Sequence, residues 1–259
     1  MAPTRISLDK ALELARTGDV WVFRGRSAPD RAIQVTTNSP VNHVGMAVVI
    51  EDLPPLMWHA ELGRSLPDMW SGTHQRGVQL HDMRDAVCVW AARYGQRAWL
   101  RQLEPSATRE MEDAVLRTIA RLDGTPFPST ARLAGRWVRG RLPSLRRAAR
   151  DDTRDDTRGG ARGGARDATG DSTGDGMWEG AREGAGDGAG DTAPDRALET
   201  AYCAEVVAVT YEAMGLLPAG RRPNWYDPGR FWSGDNLVLG GGHRLGGEIA
   251  VEVPGGEAP

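Results

Sequence analysis

The sequence predicts an α+β fold on three observations. Apolar residues recur at helical spacing early and again late in the chain, short apolar or alternating runs lie between them, and one long tract is too polar and glycine-rich to pack. The first helix is read over about residues 7–17. Ser7 offers an N-cap, Leu8, Ala11, Leu12, Leu14 and Ala15 supply an apolar face, and Gly18 stands where a left-handed residue ends a helix. Val20 to Phe23, bounded by Asp19 and Gly25, reads as a buried strand. A weak helical patch at Ala32, Ile33 and Val35 then runs into the turn-forming Thr37-Asn38-Ser39-Pro40.

His43 to Ile50 alternates, with bulky Val44, Met46, Val48 and Ile50 on one side and His43, Gly45, Ala47 and Val49 on the other. Pro54-Pro55 turns the chain, and Leu56 to Leu62 returns it as a hairpin arm on which Met57, His59 and Glu61 share a face. Further strands are expected at about 77–82 and 86–92, the second around Val87-Cys88-Val89-Trp90. Ser106 is read as the cap of a helix through Met111, Val115, Ile119 and Leu122, stopped by Gly124. Leu198 to Met214 is a second long helix ended by Gly215, and the tail adds β-like runs at 236–239 and 248–253.

Between Asp151 and Arg196 the bulky apolar residues number two, Met177 and Trp178, so this tract cannot offset its chain entropy and is read as a disordered insertion over 151–196. Residues 1–150 and 197–259 then form a single domain, with 26 basic and 23 acidic residues. The whole chain carries a formal charge of −3, which supplies no basic field for a nucleic-acid backbone. No stretch is apolar for the roughly 18–20 residues of a membrane span. The first twenty residues carry Arg5, Asp9, Lys10, Glu13, Arg16 and Asp19 and lack a secretory apolar core, so a cytoplasmic location is expected.

Two cysteines, Cys88 and Cys203, are too few for a disulfide framework or a thiolate zinc site. Cys88 sits in an apolar run and reads as a packing residue. A helix beginning near Thr200 places Cys203 in its first turn, where unpaired N–H groups and the macrodipole favour a thiolate. A reactive thiol needs a base, and of the five histidines His43 and His59 stand out, one opening a strand after a polar loop and the other on the adjoining hairpin arm. His74, His81 and His243 read as surface or satisfied residues. His59 and Glu61 compete as the third group that would orient the imidazole. His43, His59 and Glu61 are also a conceivable metal set, but no His-Glu-x-x-His or cysteine pair accompanies them, and neither metal nor cofactor is expected.

Four segments in order, Gly18-Asp19-Val20-Trp21-Val22-Phe23-Arg24-Gly25, Asn42-His43-Val44-Gly45-Met46-Ala47-Val48-Val49, Met57-Trp58-His59-Ala60 and Tyr202-Cys203-Ala204-Glu205-Val206-Val207, resemble the circularly permuted papain-like cysteine hydrolases. These are the permuted NlpC-type amidases, related to lecithin retinol acyltransferase-like proteins. Leu122-Asp123-Gly124-Thr125-Pro126-Phe127 is similar to a turn of that family. The resemblance implies an antiparallel sheet packed against the cysteine helix, with Cys203 as nucleophile, His43 as base and acid, and His59 as the third member. It also implies an oxyanion hole with the Cys203 backbone N–H and Tyr202 as contributors. Histidine at position 59 departs from the carboxylate of many permuted amidases and is closer to the acyltransferase branch. The expected function is therefore a thiol-dependent amidase, peptidase or esterase working through a thioester on a small acyl, peptide or lipid-like substrate; the alternatives are an acyltransferase of the same clan and a catalytically inactive binding module on that fold. A third reading makes the 151–196 tract a partner-recruiting tail on an interaction scaffold.

Overall fold

The structure is a computed structural model that describes residues 4–26, 34, 39–61, 65–126, 193–219, 225–235 and 237–255. These belong to one compact unit, formed by Met1–Leu142 together with Gly190–Pro259. The helical patch expected at 32–35 is almost wholly outside the described residues, as is the tract 151–192. The last four residues of the expected insertion, 193–196, are helical and open the helix that carries Cys203.

Among the described residues nine strands form two sheets. They are β1 (Arg5–Ser7), β2 (Val20–Arg24), β3 (His43–Val48), β4 (Leu56–Glu61), β5 (Gly77–Asp82), β6 (Arg97–Arg101), β7 (Leu103–Glu104), β8 (Arg244–Leu245) and β9 (Ile249–Glu252). The main sheet has the order β1-β9-β6-β2-β3-β4-β5, and β7 pairs separately with β8. Adjacent strands run antiparallel except β1 and β9, which are parallel, so the sheet is mixed rather than the antiparallel one expected. Among the described residues four α-helices accompany it: α1 (Leu8–Leu14), α2 (Met83–Tyr94), α3 (Arg109–Leu122) and α4 (Ala193–Ala213). The class is α+β.

Period-two alternation assigns each strand residue to one of two cores. Val20, Val22, Val44, Met46, Leu56, Trp58, Val78 and Leu80 pack with Val115 and Ile119 of α3 and with Val206, Val207 and Tyr211 of α4. Trp21, Phe23, Ala47, Met57, Ala98 and Leu100 pack on the other face with Leu8 and Leu12 of α1 and with Met83, Val87 and Trp90 of α2. Polar ties fix the α4 side: Trp58 Nε1 donates to Thr210 Oγ1 at 3.0 Å, and the Tyr211 hydroxyl donates to the Gly18 carbonyl.

Several elements differ from their sequence reading. The run at 86–92 is helix, not strand: the Asp82 carboxylate accepts from Asp85 N at 3.0 Å as N-cap, and Gly95, at φ 60°, closes the helix in the left-handed conformation. Helix α1 stops at Leu14, because the buried Asp19 carboxylate takes the backbone N–H of Arg16 at 2.9 Å and turns 15–19. Helix α3 is capped by Thr108, whose Oγ1 accepts from Met111 N at 3.4 Å, rather than by Ser106. The run at 237–239 is not a strand; Leu239 inserts into the core and Gly240 N bonds Leu216 O at 2.8 Å. The expected strand at 248–253 is present as β9.

Arg101, 6% exposed, holds the C-terminal tail to the sheet. Its guanidinium donates to the carbonyls of Phe231 at 2.6 Å, Gly246 at 2.8 Å and Leu245 at 3.1 Å, and lies 3.6 Å from Glu248. At the other end of the sheet, the outer edge of β5 is occupied by non-strand chain. Asp68 Oδ1 accepts from Leu80 N at 2.8 Å and Met69 N donates to Leu80 O at 2.6 Å, while Gly124 N donates to Val78 O and Val78 N to Thr125 O. No described helix is long and apolar enough to cross a membrane.

Candidate functional site

Strand alternation places His43 on the α2 face of β3, His59 and Glu61 on the same face of β4, and Gln79 and His81 on the same face of β5. His59 stands directly opposite Gln79, and His81 opposite Met57. Five polar side chains thus share this face, and the Trp90 ring meets two of them, His43 and His59, edge-on at 4.9 and 4.8 Å between centroids. None of the five is more than 5% exposed. His43 and His59 lie ring to ring at 5.4 Å, and His59 Nε2 and His81 Nδ1 share a hydrogen bond of 3.0 Å. Glu61 Oε2 lies 3.8 Å from His81 Nδ1, and its Oε1 accepts from Ser65 Oγ at 3.2 Å.

Burial holds all three rings neutral at ordinary pH. His43 is lowered to about 3 by desolvation and then by His81. His59 is lowered well below its ordinary value by desolvation, then by the two neighbouring rings. His81 falls to about 4 through desolvation, partly offset by the Asp68 carboxylate. Neutral imidazoles present lone pairs, so the cluster offers acceptor and ligand atoms rather than positive charge. Among the described residues, His59, Glu61 and His81 form the one group of three whose ligand atoms all lie within 4.8 Å of one another.

Cys203 occupies a different environment. It is fully buried on the α4 face, in the apolar cluster with Val44, Met46, Trp58 and Ala60, whereas the ring of His43 packs on Phe23 and Trp90 on the α2 face. Sulfur and ring thus belong to packing clusters on the two faces of the sheet. Because α4 begins at Ala193, Cys203 is in the helix interior rather than in its first turn. An interior N–H is already donated to the preceding turn, which removes both the dipole argument for a thiolate and the backbone oxyanion donor. Tyr202 is helical, and its side chain lies outside the described residues. His59 and Glu61, the two competitors for a third member, are both in the polar cluster. His81, read from sequence as a satisfied or surface residue, is fully buried and central to it. The signal that could have found it is the alternation Val78-Gln79-Leu80-His81 beside an apolar strand. Gln79 is carried by the same alternation and is likewise buried.

An acidic pair borders the cluster. Asp68, which influences His81, is hydrogen-bonded to Asp123, whose carboxyl is raised to about 6, first by burial and then by the Asp68 charge. Between about pH 4 and 6 the folded protein keeps a proton there that the unfolded chain releases, so this contribution to stability falls as pH rises through that window and is lost above it. Asp123→Asn is expected to flatten the fall and, relative to the parent, to stabilise the protein by about 1 kcal/mol at pH 7, a half-buried carboxyl being partly screened. Denaturation midpoints from pH 4 to 8 check this; identical pH profiles in the two proteins would refute it.

The fold and site together define an α+β protein with a buried histidine-carboxylate cluster on one face of a mixed sheet. No family model matches the chain, and no curated protein matches it. Among solved structures the chain is similar to metalloprotein yiiX from Escherichia coli O157:H7, of DUF1105, at 23% identity and a TM-score of 0.33 over 45% of this chain. The match spans about half (54%) of that protein's length. At that score the likeness decides neither fold nor function, which rest on this chain's own residues.

Proposed function

We propose that the protein is a ligand-binding module whose site is the cluster of His43, His59, Glu61, Gln79 and His81. One observation carries this reading. His43 Nε2, His81 Nε2 and both amide atoms of Gln79 are buried with no hydrogen-bond partner among the described residues. Each such group costs about 1–3 kcal/mol, and folded proteins retain few of them without a compensating use. Four of them on β3 and β5, the strands either side of β4, is what a site prepared for a polar ligand costs.

The test is the stability of the ligand-free protein. Gln79→Met keeps the volume and removes the stranded amide, so it is expected to raise stability by about 1–2 kcal/mol in urea denaturation. Loss of stability by a similar amount would mean that the amide is structural, and the reading would fail.

The second reading is the thiol hydrolase or acyltransferase. It is favoured by the order of the four segments, and by α4 packing across β3 and β4, the strands that carry His43 and His59. It requires Cys203 to meet His43. Brief alkylation of the native protein distinguishes the two. On the binding reading the partly exposed Cys88 reacts first and Cys203 reacts on unfolding. Rapid labelling of Cys203 that His43→Ala abolishes would instead establish the hydrolase reading.

A further inference from the structure

We infer that His59, Glu61 and His81 form a binding site for a divalent transition-metal ion of the zinc type. The inference rests on the reading of the polar cluster as a ligand site and names the ligand. The geometry requires little movement. Two nitrogens bound at about 2.0–2.1 Å in a tetrahedral site stand about 3.3 Å apart. His59 Nε2 and His81 Nδ1 are 3.0 Å apart, sharing a proton along the line that an ion would interrupt. The Glu61 carboxylate, 3.8 Å from His81 Nδ1, closes the third side with the one formal charge of the set.

The donor chemistry selects the ion. Calcium and magnesium take oxygen ligands, and a single carboxylate beside two imidazoles is poor for either. Two neutral imidazoles and a carboxylate suit zinc, cobalt, nickel or ferrous iron. The set also lacks the fourth protein ligand of a closed structural zinc site, leaving a coordination position for water or a small ligand. His43 Nε2 and the Gln79 amide, on the strands either side of His59, are the unsatisfied groups available to such a guest.

The full-length protein, stripped with a chelator, is titrated with Zn(II) by calorimetry and with Co(II) by visible absorption. One ion per chain is expected, with Co(II) d–d bands and no thiolate charge-transfer band. Loss of an outer-shell partner alone typically costs 10–100-fold in affinity, so His81→Ala and Glu61→Gln are each expected to weaken binding by more than about a hundredfold. Cys203→Ser is expected to leave it unchanged. Absence of stoichiometric binding in the parent, or undiminished binding in both variants, would overturn the inference. Should a variant fail to fold by circular dichroism, imidazole proton shifts of the parent on adding Zn(II) decide: shifts at His59 and His81 support the site, and unshifted rings refute it. Failure of metal binding alongside stabilisation by Gln79→Met removes the metal and leaves the cluster as a site for another ligand; failure of both removes both.

Discussion

Replacing Trp90 with alanine is expected to cost about 3–5 kcal/mol of stability, the usual loss for deleting a buried indole. Trp90, 3% exposed, is the α2 residue against which Phe23, His43 and His59 all stack, with centroid separations of 4.8–4.9 Å. Its removal takes away packing and also admits water to the rings beneath. The second effect has its own readout. Desolvation is the largest cause of the depressed basicity of His43 and His59, so in Trp90→Ala both are expected to titrate closer to the ordinary 6.5. Urea denaturation measures the first effect and an NMR pH titration of the imidazole protons the second. Unmoved histidine titrations in a folded variant would show that Trp90 does not seal the cluster.

Arg101→Ala is expected to destabilise by a similar amount, about 3–5 kcal/mol, through a different route. The guanidinium satisfies the carbonyls of Phe231, Leu245 and Gly246 at once, and its removal strands them together with the nearby Glu248. Lysine should not rescue it, since a single ammonium cannot reproduce a planar fork aimed at three acceptors. Because those carbonyls belong to the tail leading into β9, limited proteolysis of Arg101→Ala should cut first between 231 and 249. Parent-like proteolysis and stability would show that the three carbonyls find other partners.

The sheet around the site was legible in the sequence because period-two alternation is a local property. Alternation puts His43 on the small-residue face of its strand and His59 and Glu61 on one face of theirs with Met57, and the structure places all three on one face of the sheet. What alternation cannot tell is which helix lies on which face. That depends on the chain crossings between elements, which set Cys203 and the His43 ring in clusters on different faces. The start of α4 was misjudged for a related reason: its first residues end a tract whose composition opposes packing, so the helix was read as beginning near Thr200 rather than at Ala193. Helix α2 was missed because Val87, Cys88 and Val89 favour a strand locally. The caps at Asp82 and Gly95, with Ala86, Val87, Trp90 and Ala91 buried along one side, decided otherwise. His81 and Gln79 were readable from their strand but carried no motif.

The border of β5 bears on behaviour at high concentration. A terminal strand with bare amides and carbonyls is a template on which another molecule can zip. Here Asp68, Met69, Gly124 and Thr125 already consume the hydrogen-bonding groups of Val78 and Leu80, and the opposite border ends in the three-residue β1. Filament growth by sheet-to-sheet addition is thereby blocked at the β5 side and given a minimal foothold at the other.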